Sequence, residues 1–270
     1  MAQKVWFITG SSRGFGREWT EAALKRGDLV AATARDTASL TELVKTYGDA
    51  VLPLQLDVTE RAADFAALKQ AYERFGRLDV VVNNAGYGLF GAVEDLSEEQ
   101  ARAQMETNFF GALWVTQAAL PYLREQRSGH ILQVSSIGGI AAFPILSLYH
   151  ASKWALEGMS EALAQEVAPF GIHVTLIEPG GFTTDWSGSS SVQVEPRPEY
   201  AFLLEARKQR AQRMPSGDPA ETRQAILTLV DAPNPPLRLF LGASPLTIAR
   251  PLYEQRLKTW EQWSEVSQGA

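Results

Sequence analysis

The 270-residue chain predicts an α/β fold, a doubly wound parallel sheet with helices on both faces. Three observations predict it. Short runs of Val, Ile and Leu recur without polar alternation, as in strands buried on both faces. Longer amphipathic stretches separate those runs. A glycine-rich turn joins the first run to the first amphipathic stretch.

The apolar runs fall at 5–9 (VWFIT), 29–34 (LVAATA), 51–56 (VLPLQL), 80–82 (VVV), 130–136 (HILQVSS) and 172–178 (IHVTLIE), with 237–241 (LRLFL) later. Helices are predicted at 14–26, 38–46, 60–75, 97–124 and 148–168. Asp57-Val58-Thr59-Glu60 puts a capping residue before the helix over 60–75, and Ser97 with Gln100 reads as a capping box. Gly76 and Gly171 end the helices before them. The stretch 185–215 carries serines, glycine and two prolines before a helical segment at 199–213, which suits a substrate loop or lid better than a linker. Residues 1–270 are therefore read as one domain, with 185–215 as lid and 245–270 as a C-terminal helical tail.

Composition narrows the function. A 45% apolar content supports a sizeable core, and 21% charged residues argue against disorder. The net charge of -6, with scattered Lys and Arg, offers no field for a nucleic acid. The absence of cysteine removes disulfides, thiolate zinc sites and thiol catalysis, and fits a reducing cytoplasm. His130, His150 and His173 are too scattered for a metal site. No run approaches the roughly 18 apolar residues of a membrane span, and Val5 to Ile8 is too short for a signal-peptide core. A soluble cytoplasmic protein without membrane or metal partners is expected.

The glycine turn is Gly10-Ser11-Ser12-Arg13-Gly14-Phe15-Gly16. Placed after a first strand and before a helix, it lets backbone and helix N-terminus approach a pyrophosphate. Arg13 lies within the turn, and Arg35 closes the second strand, where a guanidinium suits the 2′-phosphate of NADP. Asp36, 20 residues beyond Gly16, is the opposing signal for NAD. The two arginines favour NADP (NADPH) over NAD, against a bland alternative in which Arg35 is a solvated surface charge.

Tyr149 and Lys153 are four residues apart on a helical stretch and share one face. A free phenol has a pKa of about 10, and a neighbouring ammonium lowers it. Such a phenol exchanges a proton with a carbonyl or alcohol oxygen. Ser136 ends a predicted strand, at the side where parallel sheets open onto ligands, while Ser135 points to the opposite side.

These motifs, with Asp57-Val58, Asn83-Asn84-Ala85-Gly86, Asn108, the 149–153 run and Pro179-Gly180-Gly181-Phe182-Thr183-Thr184, resemble the short-chain dehydrogenase/reductase family from residue 4 to 184. The resemblance implies a Rossmann fold with Tyr149 as acid/base and Lys153 modulating it and holding the nicotinamide ribose. It further implies Ser136 orienting substrate and Asn108 anchoring a water. Asp57 and Val58 would hold adenine, and Asn84, Ala85 and Gly86 would wall the adenosine. Pro179, Gly180, Phe182 and Thr184 would meet the nicotinamide end. Phe15 departs from the family's usual aliphatic residue. From the residues alone, Asn83 and Asn84 also fit a turn cap, and Asn108 a satisfied core amide. His150 is given no catalytic role.

The expected pocket rim is Tyr87, Phe90, Phe143, Phe182 and Trp186, which points to a small hydrophobic carbonyl or alcohol substrate. The resemblance also implies a homodimer or homotetramer built on helices 97–124 and 148–168. Competing readings are a non-catalytic dinucleotide-binding regulator and an epimerase or dehydratase on the same scaffold.

Overall fold

The apolar run that opens the chain forms β1 (Val5–Ile8), buried at every position. The computed structural model describes residues 3–213 and 216–269. Met1 and Ala2, with Met214, Pro215 and Ala270 of the expected lid and tail, lie outside the described residues. After β1 come α1 (Gly14–Arg26), β2 (Leu29–Ala34), α2 (Thr41–Tyr47), β3 (Val51–Gln55), α3 (Arg61–Phe75), β4 (Val80–Asn83) and β5 (Leu89–Phe90). Then follow α4 (Glu98–Met105), α5 (Gly111–Gln126), β6 (Gly129–Val134), α6 (Ser147–Val167), β7 (Ile172–Pro179) and β8 (Val192–Gln193). The chain ends with α7 (Ala201–Arg213), α8 (Arg223–Asp231), β9 (Arg238–Leu241), α9 (Ser244–Gln262) and α10 (Ser264–Gln268).

Seven strands form one parallel sheet in the order β3-β2-β1-β4-β6-β7-β9. The unbroken apolar runs are explained by burial on both faces. Phe7, Val81 and Ile131 pack on one side with Leu68 of α3 and Val115 and Leu123 of α5. Their strand neighbours Trp6, Ile8, Val82 and Leu132 pack on the other with Trp19 of α1 and Ile226 of α8. The chain leaves β1 toward β2 and β3, then returns to β4 on the other side. That reversal opens a crevice at the strand carboxyl ends.

Three of the expected helix boundaries follow their caps. Ser97 accepts from Gln100 N and the Gln100 side chain accepts from Ser97 N, completing the box. Gly76 and Gly171 end their helices in the left-handed region, with φ of 75° and 70°. Asp57 differs from expectation. Its Oδ1 accepts from Thr59 N and Oγ1, closing a turn two residues on, so it lies outside the helix it was expected to cap. α3 begins at Arg61, and its N-cap residue Glu60 makes no side-chain cap. The single helix expected over 97–124 is α4 and α5 joined by a π turn, Glu106–Phe110.

The short strands β5 and β8 pair Leu89 with Val192 and Phe90 with Gln193, drawing residues 185–193 across the crevice. No helix among the described residues is long and apolar enough to cross a membrane.

Candidate active site

The strand ends open onto a cavity of about 890 Å3. Its first wall is the turn after β1. Gly10 adopts φ +69°, and a Cβ on Gly16 would collide with the Gly10 carbonyl and the Asn84 amide. Asn84 ties this turn to β4: its Nδ2 donates to the carbonyls of Thr9 (2.9 Å) and Gly10 (3.1 Å), while Asn84 N and Ala85 N donate to Thr9 Oγ1. Ser11 is buried, donating through Oγ to the Ile8 carbonyl. Ser11 and Gly16 thus hold the turn from within, and Gly10, Ser12, Arg13, Gly14 and Phe15 face the cavity. The first turn of α1 carries no acidic residue and no side-chain cap. Its N–H groups and dipole suit an anion such as a pyrophosphate. Asn83 is a core amide, donating to Thr116 Oγ1 and Gln133 Oε1.

The ends of β2 and β3 bring Arg35, Asp57 and Val58 to the cavity, beside Asn84, Ala85 and Gly86. Arg35 makes no ion pair or hydrogen bond among the described residues. Asp36 does not line the cavity: its Oδ1 caps the 37–40 turn by accepting from Ala38 N. Arg13 is engaged elsewhere, its guanidinium bonded to Asp185 at 2.7 Å.

Phe15 explains its own departure from the aliphatic pattern. It stacks on Trp19 at 5.2 Å and meets Phe182 edge-on at 5.0 Å, so three rings close this wall. Pro179, Gly180, Phe182 and Thr184 line the cavity after β7. A Cβ on Gly180 would press on Ser244 and Pro245 at the start of α9.

Ser136, Tyr149 and Lys153 meet on the opposite wall. Tyr149, in the first turn of α6, is 5% exposed. Lys153 lies one turn on, its Nζ donating to the Val134 carbonyl at 2.7 Å and standing 5.8 Å from the Tyr149 ring centre. Ser136 Oγ accepts from Gly138 N at 2.9 Å. Ser135 points the other way, toward Glu157, and a Cβ on Gly139 would strike both. The net shift of the phenol is upward rather than the lowering expected from Lys153, because burial dominates. Burial pushes Tyr149 up to about 12, and the group that brings it down is the Ser136 hydroxyl. Burial also brings Lys153 down to about 8, opposed by the Glu157 carboxylate.

Behind Lys153 lies a cluster that sequence reasoning missed. Arg238 of β9 pairs with Glu157 (3.0 Å), Glu161 (2.7 Å) and the fully buried Glu178 (3.4 Å). Burial and the charge of Glu157 push Glu178 up to about 8. The only sequence signal was Glu157, four residues beyond Lys153. Asn108 sits on the π turn, a geometry common at functional positions. Its Nδ2 donates to the Tyr87 carbonyl (3.0 Å) and Ser152 Oγ (3.2 Å), and its Oδ1 accepts from Tyr87 N (3.1 Å). It thereby clamps the loop after β4 to α6. His150 is structural: Nε2 accepts from Phe143 N and Nδ1 donates to the Gly138 carbonyl.

Tyr87, Phe143, Phe182 and Trp186 line the cavity as expected. Phe90 does not: it is buried behind Trp186, with ring centres 5.2 Å apart, because its strand pairs with β8. Trp186 in turn packs on Tyr149 at 4.8 Å. Leu203, Ala206 and Arg207 of α7 and Ile248 of α9 complete the apolar end, unmarked by any motif. No cluster of metal-ligating side chains occurs among the described residues.

A nucleotide-ready turn and a buried phenol facing one cavity define a dinucleotide oxidoreductase scaffold, and comparison with known proteins narrows it. Residues 4–195 match the short chain dehydrogenase family, to which this chain belongs. It is 44% identical over 268 residues to Oxidoreductase BOA17 of Botryotinia fuckeliana, covering 98% of both proteins. A short-chain dehydrogenase from Streptomyces avermitilis superposes with a TM-score of 0.93 at 40% identity, covering 99% of each chain. An alcohol dehydrogenase from Thermococcus sibiricus, complexed with 5-hydroxy-NADP, does so with a TM-score of 0.75 at 28% identity, covering 89% of this chain and 96% of that one.

Proposed function

We propose that this protein is an NADP-dependent carbonyl reductase and alcohol dehydrogenase, with Tyr149 as proton donor and acceptor. The observation that carries the reading is that Ser136, Tyr149 and Lys153 share one cavity with the glycine turn and Arg35. When bound, the dinucleotide supplies or takes up hydride. Gly10, Ser12, Gly14 and the α1 N-terminus would hold its pyrophosphate, and Asp57, Val58, Asn84, Ala85 and Gly86 its adenosine. Pro179, Gly180, Phe182 and Thr184 would face its nicotinamide end, with Lys153 reaching the ribose. Arg35, with no acidic partner among the described residues, suits a 2′-phosphate, whereas Asp36 is spent on its cap. The NADP analogue held by the Thermococcus sibiricus neighbour supports the same choice.

Tyr149 Oη gives its proton to the substrate oxygen as the carbonyl is reduced. A phenol held at about 12 keeps that proton throughout neutral pH, which suits the acid role. Ser136 Oγ accepts from Gly138 N, and its hydroxyl hydrogen, which faces Tyr149 in the free protein, would turn to orient the substrate oxygen. The Lys153 ammonium stabilises the phenolate left behind. Asn108 Oδ1 lies close to Lys153 across Gly86, where a water would return protons.

The aromatic and aliphatic lining supports an apolar carbonyl or secondary alcohol as substrate. Residues 185–215 serve as substrate loop and 245–270 as tail of a single domain spanning 1–270. Exposed Trp154 on α6 supports assembly as a homodimer or homotetramer. The cysteine-free sequence supports a cytoplasmic location.

The test is oxidation of NADPH by a panel of hydrophobic ketones, followed by loss of reduced-nicotinamide absorbance. Turnover to the alcohol is expected. NADPH binding without oxidation by any ketone would leave the regulatory reading.

A further inference from the structure

Among the described residues, three guanidinium groups line the cavity, those of Arg13, Arg35 and Arg207. Arg13 is neutralised by Asp185. Arg35 and Arg207 have no carboxylate partner among the described residues, and they belong to opposite ends. The first stands by the glycine turn. The second projects from α7 onto the substrate side, beyond Tyr149 and Trp186.

Arg207 is half-buried, with its guanidinium carbon 3.9 Å from the centre of the Phe90 ring. Burial pulls it below the usual arginine range, though it stays charged. It shares cavity walls with Val192, Leu203, Leu204 and Gln193, and among the described residues the Phe90 face is its attractive partner. Glu94, Asp95 and Asp185 are engaged elsewhere. Arg197 pairs with Glu94 (2.6 Å) and Asp95 (2.8 Å), and Asp185 accepts from Ser189 and Ser190 besides Arg13. A half-buried guanidinium with no carboxylate partner among the described residues is partly stripped of water, and an anion arriving at the site offsets that cost.

We propose that Arg207 is a specificity-determining residue that receives a carboxylate at the far end of an apolar carbonyl substrate, whose reacting carbonyl lies at Tyr149. Ring contacts of 4.8 Å from Tyr149 to Trp186 and 5.2 Å from Trp186 to the buried Phe90, then 3.9 Å to the guanidinium, fix the two ends relative to each other, and the apolar side chains of Trp186, Val192 and Leu203 line the cavity that Tyr149 and Arg207 share. The substrate class is thus an oxo acid with a hydrophobic body, or the matching hydroxy acid. This assignment rests on the reductase reading above.

The test uses the full chain with NADPH and a series of ω-(4-acetylphenyl)alkanoic acids of increasing length, each beside its primary amide. At one chain length the wild type should prefer the acid about tenfold or more in kcat/KM. Arg207→Met should abolish the preference through KM for the acid, and Arg207→Lys should retain part of it. Arg256→Gln, which removes a guanidinium stacked on Trp154 of the outer surface, should leave the preference in place. Equal handling of acid and amide at every length, or a preference that survives in Arg207→Met, overturns the proposal. Acid and amide affinities are also measured by calorimetry. Selective acid binding lost in Arg207→Met, without turnover of either compound, upholds the anion site and rejects the reductase reading instead.

Discussion

Lys153 Nζ stands 5.8 Å from the Tyr149 ring centre yet gives its hydrogen bond to the Val134 carbonyl. The ammonium is therefore fixed by the end of β6, close enough to act on a phenolate but not bonded to the phenol. This separates proton donation by Tyr149 from charge stabilisation by Lys153, and the two are testable apart.

Tyr149→Phe should leave NADPH affinity near the wild-type value while lowering ketone turnover by about two to four orders of magnitude. Fluorescence titration and steady-state kinetics measure the two. Near-normal turnover would remove Tyr149 from the chemistry.

The Lys153 charge sets a pH limit. With its pKa at about 8, the ammonium is present below that value and lost above it. For reduction, kcat/KM should be level from about pH 6 to 8 and fall beyond, whereas Lys153→Arg should show no inflection there, because guanidinium stays charged. An unchanged profile in Lys153→Arg would refute the assignment.

Arg35→Gln should weaken NADPH by about tenfold or more and NADH by far less, since only the former carries the 2′-phosphate. Equal losses measured by calorimetry would return cofactor choice to Asp36.

Asp64 bears on stability. It is fully buried in α3, neither carboxylate oxygen has a partner among the described residues, and burial with the charge of Asp57 pushes it up to about 8. Between the unfolded value of about 4 and that folded value, the native state holds a proton that the unfolded chain has released. Stability from this group is thus complete at low pH and falls as pH rises through that window. Asp64→Asn, a neutral isostere, should raise Tm at pH 8 by about 2–4 °C for each kcal/mol recovered and by little at pH 4. Equal Tm values at pH 8 would contradict the burial argument.

What was legible in the sequence was local. The strands follow from unbroken apolar runs, and Tyr149, Lys153 and Ser136 from spacing along one helix and one strand end. Contacts between distant segments were not legible. Arg238 reaches Glu157 across 81 residues, and Arg207 joins the cavity only because α7 folds back over it. Phe90 was misplaced because a two-residue strand pairing buries it. The direction of the Tyr149 shift depended on burial, which spacing does not report. The π turn has no compositional signature, so Asn108 was matched by motif without its geometry.

That turn has a consequence for protein engineering. A π turn carries one residue more than the α-helix it interrupts, and each residue advances a helix by about 100°. Val115, Ala118, Ala119 and Leu123 of α5 all sit in the core. Because the extra residue is absorbed within the turn, deleting one residue of 106–110 would restore a regular helix and leave that stripe against the sheet, so libraries that shorten this segment should yield folded protein in which the Asn108 clamp, not the core, is altered.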